Sequence, residues 1–303
     1  MSKKIINIFL YTVGLIIFIV VVVAGITQSK FFKDRLRVLI TSAASDNLGG
    51  TLVLGTIRGN FISGFSIDSV KIYYEKEIFL STGEISLHHD PFSLLRKTIT
   101  LRRIKIEQPI VHILKSRRNE WNIDKIFRPD TSKPSAFDWT IKVEDLKIEK
   151  GNVVIYDSTR GSYINSYDTI SKYIDYSHLE VKDLSVNLAG TVKDKSVKLK
   201  IKNIRGSIPA TLMSLVNFSG EFEINKNKAE VKNLLVTTTN SQFKIDLSLK
   251  DIDLFRPPKL VDFKDKPVSL KLLANHLNFN ELKSFIPEIY FLNGNTYVDL
   301  EAN

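Results

Sequence analysis

The chain has 303 residues and no cysteine, which excludes disulfide frameworks and thiolate metal sites. A formal charge of +10 raises nucleic acid as a partner. The lysines, however, alternate with apolar residues, as in Val197-Lys-Leu-Lys-Ile-Lys202, and read as the solvated face of strands, so no nucleic-acid partner is expected.

Residues Ile5 to Ile26 are 22 positions without a charge. At about 1.5 Å per residue such a helix is about 33 Å long, enough to cross a bilayer and longer than the apolar core of a cleaved signal peptide. Residues 1–28 are therefore expected to be a short tail and a retained transmembrane anchor. Lys3 and Lys4 before the span and Lys30, Lys33, Arg35 and Arg37 after it do not orient it locally. Because long domains translocate largely regardless of nearby charge, the bulk of the chain is expected outside the cytoplasm.

Over residues 29–50, Phe32, Leu36, Leu39, Ile40 and Ala43 recur at helical spacing and Asn47 to Gly50 stop the run. Three readings stand for this helix: it lies on the membrane surface, it plugs the near end of the sheet that follows, or it is a short packing helix. Residues 51–127 form a first β block, with strands expected at Thr51–Ile57, Phe61–Tyr74, Ile78–His88 and Ile99–Leu114, and a capped helical turn at Asp90–Arg96. Pro109 suggests an edge or a bulge. Residues 128–138 are a proline-interrupted linker. Residues 139–303 form a second β block with a polar insertion at Tyr163–Tyr176 and short helices at Pro209–Val216 and Glu281–Ile286. Its strands resume at Gly220, and Asn295–Asn303 reads as the middle of a strand with more chain expected after it.

One spacing recurs through both blocks. Four apolar residues sit 2, 3 and 2 apart: Phe65, Ile67, Val70, Ile72; Ile99, Leu101, Ile104, Ile106; Ile141, Val143, Leu146, Ile148; Leu179, Val181, Leu184, Val186; Ala229, Val231, Leu234, Val236; and Leu272, Ala274, Leu277, Phe279. Leu199, Ile201 and Ile204 form a truncated copy. A step of 2 keeps side chains on one face of a strand, and a step of 3 would move them to the other. One bulged residue restores the face and adds twist. These positions are thus candidates to line one continuous apolar face on a long sheet of kinked strands. About 18 strands at about 4.8 Å each would extend it to about 85 Å. Either a second sheet closes that face, or it stays open as a groove that faces acyl chains.

Chemistry is sparse. His88 and His89 are adjacent, and neighbours on a strand point to opposite faces, so the pair chelates poorly and reads as exposed loop residues; His112, His178 and His276 stand apart from it. No glycine-rich phosphate loop, GxSxG elbow or HExxH helix occurs. Acidic residues alternate with basic ones, as in Glu144-Asp145-Leu-Lys147. No enzyme activity, catalytic residue, metal or cofactor is expected.

Four stretches carry a family resemblance: Leu48–Ile72, Asp90–Ile113, Asn119–Phe127 and Val143–Tyr156, set behind the apolar N-terminus. Their order (short helix, paired strands, Gln108-Pro-Ile-Val-His-Ile113, Trp121-Asn-Ile-Asp-Lys-Ile126) resembles the N-terminal region of the AsmA-like family, of the TamB (translocation and assembly module) type. The resemblance implies a bacterial inner-membrane protein whose periplasmic part is an elongated, twisted antiparallel β-sheet folded into a taco-like groove. It implies phospholipid acyl chains as cargo on the way to the outer membrane. It also implies an alternative role as a scaffold for outer-membrane β-barrel protein assembly, with such a barrel as partner.

Overall fold

A computed structural model describes residues 18, 21–23, 25–127, 138–160, 173–211, 213–253, 255, 266–286, 289 and 291–302. The expected span at Ile5–Ile26 lies largely outside the described residues. Its described parts, including Phe18, Val21 and Ile26, are helical and exposed. Among the described residues no helix is long and apolar enough to cross a membrane.

Helix α1 (Lys30–Asn47) begins at Ser29, whose hydroxyl accepts from the Phe32 N–H at 3.2 Å. Its inward stripe is Phe32, Leu36, Ile40 and Ala44, packed along the first strands. Leu39 and Ala43, expected on that stripe, point outward instead, and Leu39 is 66% exposed. The buried stripe follows i, i+4 steps, and 39 and 43 fall on its far flank.

The remainder is mainly β: strands β1 (Thr51–Leu54), β2 (Ile57–Asn60), β3 (Gly64–Ile67), β4 (Val70–Tyr74), β5 (Glu77–Ser81), β6 (Ile85–Asp90), β7 (Thr98–Glu107), β8 (Ile110–Lys115), β9 (Thr140–Asp157), β10 (His178–Lys193), β11 (Ser196–Ile208), β12 (Met213–Asn225), β13 (Lys228–Thr238), β14 (Gln242–Lys250), β15 (Val268–Asn278) and β16 (Asn295–Ala302). All sixteen belong to one sheet. Its order is β1-β4-β5-β8-β9 and then β10 to β16 in sequence, while β2-β3-β6-β7 forms a second ribbon that also joins β9.

This branching has a simple cause. Strand β9 pairs with β7 over residues 140–149 and with β8 over 152–157, so β7 and β8 lie end to end along it. Between them Pro109 has no N–H for the ladder, and Gln108 takes φ 47°. Strands β1 and β2 break likewise at Gly55-Thr56, β3 and β4 at Asp68-Ser69, and β5 and β6 at Thr82 to Glu84. The first block is therefore a set of long strands, each broken mid-way into two collinear halves.

Two expectations are corrected. The sheet is mixed rather than antiparallel, because β7 and β8 both run parallel to β9. The chain must then cross back between β8 and β9, and helix α2 (Asn122–Ile126) lies on that crossover. The sheet is also shorter than expected. Its main path is twelve strands wide, about 53 Å at about 4.8 Å per strand, because collinear halves add width and not length. The ladder passes from the first block to the second through β9 without interruption.

Helix α2 covers part of the apolar face. Ile126 is fully buried and packs with Ile72 and Phe79, flanked by Leu52, Leu80, Val111, Ile113 and Ile123. Each such side chain contributes about 1.5–3 kcal/mol on burial. At the same end Asp157, 4% exposed, accepts from the Thr159 hydroxyl at 2.6 Å and pairs with Lys115 at 3.2 Å. The Thr159 hydrogen bond leads in holding its carboxyl down to about 2. Helix α3 (Phe279–Phe285) closes the end of β15, starting two residues before the expected Glu281, with Asn278 as its cap. The expected helix at Pro209–Val216 shrinks to a 3-10 turn at Pro209–Thr211, and β12 starts at Met213, whose buried side chain begins the strand alternation. The linker residues 128–137 and most of the insertion at 163–176 lie outside the described residues.

Candidate apolar track

Strand registers place the recurring apolar positions opposite one another. One row runs Ile57, Ile67, Ile85, Ile106, Ile148, Val186, Ile204, Phe218, Val236, Phe243, Ala274, Val298, each residue paired across the ladder with the next. Every side chain in this twelve-strand row is aliphatic or phenyl. A second row runs Leu101, Val143, Gly190, Leu199, Phe222, Val231, Leu247, Leu270. A third, at the far side, runs Leu52, Ile72, Leu80, Val111, Val153, Val181.

The three-residue steps are bulges where the strand continues. Register shifts fall between Val181 and Leu184, between Ile201 and Ile204, between Val231 and Leu234 and between Ala274 and Leu277. Strands β7 and β9 bulge in phase, so Leu101–Ile104 stays level with Val143–Leu146 across their parallel pairing. Two bulges carry a residue in the left-handed region: Asp183 at φ 52° and Asn233 at φ 51°, the residue types that tolerate it best. Their N–H groups find side-chain acceptors, Asn152 Oδ1 at 3.4 Å for Asp183 and Asp246 Oδ1 at 2.6 Å for Asn233.

Two copies end differently. In the first, Ile67 closes β3 and Val70 opens β4, so the step of 3 is a strand break. In the last, Phe279 is the first residue of α3 and not part of the strand. Of the proposed lining positions, Val70, Ile72, Ile201, Ala229, Val236 and Ala274 are buried. The others are half-buried, as expected of a sheet face that has no second sheet over it among the described residues. Strands were expected over Ile99–Leu114, Gly220–Ile224, Gln242–Lys250 and Asn295–Asn303, but the 2-3-2 spacing did not mark the lining side chains of β8, β12, β14 and β16, namely Val111, Phe218, Phe222, Phe243, Ile245 and Val298. Plain alternation, as in Phe243-Lys-Ile-Asp-Leu-Ser-Leu249, was the signal there.

The chain passes close to Leu234 at Gly220, where an added Cβ would lie 3.0 Å from Leu234 Cα and 3.3 Å from its Cδ1.

The opposite face is polar in the same register. Its row runs Arg58, Ser66, Ser86, Lys105, Lys147, Asn187, Asn203. Asn203 donates to Asn217 at 2.6 Å, continuing the row into β12. Asp145 faces Lys202 at 3.0 Å and Lys147 and Arg103 at 3.7 Å each. Burial opposes its ionisation, and these cations, Lys202 first, outweigh that and hold its carboxyl below the usual range. A depression of about 570 Å³ on this face lies over Ala189 and Gly190, walled by Lys142, Glu144, Lys198, Lys200, Glu221, Glu223, Glu230 and Lys232. Its ion pairs, such as Lys200–Glu221 at 2.8 Å and Lys232–Glu230 at 2.8 Å, link its own walls, so it offers no unbalanced charge to a ligand.

The histidines are not loop residues. His88 and His89 end β6, with His88 exposed and His89 half-buried between the rings of Phe61 and Phe65, at centroid distances of 4.8 and 6.2 Å. Burial favours the neutral imidazole at His89. His112 lies on β8, with Nδ1 3.0 Å from the Ile78 carbonyl, and His178 opens β10 beside Asp175 at 2.9 Å.

Comparison with protein-family models, with curated proteins and with solved structures returned no match.

Proposed function

We propose that this chain is a membrane-anchored conduit that holds phospholipid acyl chains along its apolar sheet face and passes them away from the membrane. The resemblance to AsmA-like proteins supplies the expected setting, a bacterial inner-membrane anchor with a periplasmic groove directed at the outer membrane. The observation that carries the reading is the twelve-strand row from Ile57 to Val298, apolar at every rung. A recognition site needs fixed polar contacts at one place. A track for hydrocarbon needs the same surface repeated, since each CH₂ kept from water is worth about 0.8 kcal/mol wherever it lies.

Photocrosslinking tests this directly. A benzophenone residue at Val186 faces the track, and one at Asn187 faces the polar side of the same strand. The Val186 probe is expected to yield phospholipid adducts by mass spectrometry, and the Asn187 probe none. Equal adducts at both, or none at Val186, would reject a lipid track.

A second reading, a scaffold for outer-membrane β-barrel proteins, draws on β16. Among the described residues this strand pairs only with β15, so its other edge presents unpaired backbone groups. In that case crosslinks from Tyr297 would reach a client protein rather than lipid.

A further inference from the structure

The described end of the N-terminal helix is fastened to one corner of the sheet. Thr27, 6% exposed, accepts from the Phe61 N–H through its hydroxyl at 3.2 Å. Phe61 opens the turn between β2 and β3, and its ring rests 4.8 Å from that of His89 at the end of β6. The next residues, Pro91–Arg96, form a 3-10 turn capped by Asp90, whose carboxylate accepts from the Phe92 N–H at 3.1 Å. Ser93 is the buried residue of that turn, accepting from the Thr100 N–H at 3.2 Å and donating to the Asp90 carbonyl at 2.6 Å.

That locking fixes the turn so that its apolar side chains face outward. Leu95 is 85% exposed, Phe92 66%, Ile62 38% and Leu94 36%. Four large apolar side chains on two adjacent turns are a costly way to end a sheet in water. Cations outnumber anions around them: Arg96 closes the turn, Arg102 pairs at 3.1 Å with Asp90, which caps it, and Lys30 and Lys33 open α1 shortly after Thr27 in the chain.

We propose that this corner is a second membrane contact, in which Ile62, Phe92, Leu94 and Leu95 enter the headgroup–acyl boundary of the bilayer that holds the N-terminal helix. The contact rests on the membrane anchor proposed above. Three observations select a bilayer as the occupant. The apolar helix leads directly into the corner through Thr27. The exposed side chains are aliphatic and phenyl with cations alongside, the pairing that suits an anionic lipid surface. The turn is held rigid by Asp90 and Ser93, so its apolar tips are presented rather than tucked away. Two points of attachment would fix the tilt of the sheet over the bilayer, which a single helix with a bend at Ser29 does not.

The absence of cysteine makes the test direct. Full-length chains carrying Val22→Cys, Leu95→Cys or Asn119→Cys are labelled with an environment-sensitive fluorophore. They are then reconstituted into vesicles of phosphatidylethanolamine and phosphatidylglycerol with acyl chains brominated near the headgroup. The label at 22 reports the anchor, that at 95 the corner, and that at 119 the opposite end of the strands, beyond β8. The expected result is a blue shift and loss of most intensity to the bromolipid at 22 and 95, with neither at 119. Quenching at 22 but not at 95 would overturn the second contact and leave the anchor intact. No quenching at 22 would remove the anchor and the contact together. A label at 95 that is blue-shifted yet unquenched would assign the patch to a protein cover and also overturn the proposal.

Discussion

At the scale of single residues, the face continuity of the track depends on a few backbone conformations. Asn233 is the clearest case. It occupies the left-handed region at φ 51°, and its N–H, displaced from the ladder, is taken up by Asp246 at 2.6 Å. A β-branched side chain resists that conformation by about 1–2 kcal/mol, whereas glycine adopts it freely. Asn233→Val is therefore expected to destabilise the protein by about 1–2 kcal/mol in chemical denaturation, and Asn233→Gly by less than about 0.5 kcal/mol. Equal losses in both would mean that the side chain of Asn233, and not its backbone, matters. The step of 3 between Val231 and Leu234 was legible as a bulge, because within a continuous strand one extra residue returns the side chains to the same face. Which of the intervening residues turns left-handed was not legible, because that depends on the partner strand that supplies Asp246.

At the scale of elements, covering the apolar face is as informative as building it. Helix α2 is only five residues long, too short to persist alone, and exists because Ile123 and Ile126 dock onto Ile72, Leu80, Val111 and Ile113. It also ties two distant segments together, since the Gly49 N–H donates to the Ile126 carbonyl at 2.9 Å. Ile126→Ala is expected to cost about 2–5 kcal/mol, as for other fully buried aliphatic truncations. The loss should read as a lower denaturation midpoint, and a change under about 1 kcal/mol would show that α2 does not fasten this end. Strands with plain alternation or the 2-3-2 step were legible in the sequence. The collinear breaks at Gly55-Thr56, Asp68-Ser69 and Thr82 to Glu84 were not, because no proline marks them as Pro109 marks the fourth. The parallel direction of β7 and β8 against β9 was hidden too: periodicity reports which face a residue takes and never which way its neighbour runs.

At the scale of the whole molecule, the track is a series arrangement, and this separates it from any local binding site. If acyl chains pass along the row, a barrier at any rung interrupts the whole. Ile67 on β3, Val186 on β10 and Phe243 on β14 sit on the same row near its start, middle and end. An aspartate at any of them keeps water on the apolar face, and a chain segment passing it returns several CH₂ groups to water at about 0.8 kcal/mol each. Ile67→Asp, Val186→Asp and Phe243→Asp are each expected to reduce transfer of fluorescent phospholipid between vesicles at least tenfold, the equivalent of about 1.4 kcal/mol, or roughly two such groups. Their positions are half-buried, so the carboxylate can remain hydrated and the fold retained, which circular dichroism would check. Aspartate at Asn187 or Asn203, one residue away on the polar face, should leave transfer unchanged. A loss confined to one of the three apolar positions would instead mark a local lipid site, and the continuity of the row would then be a requirement of the sheet rather than of transport.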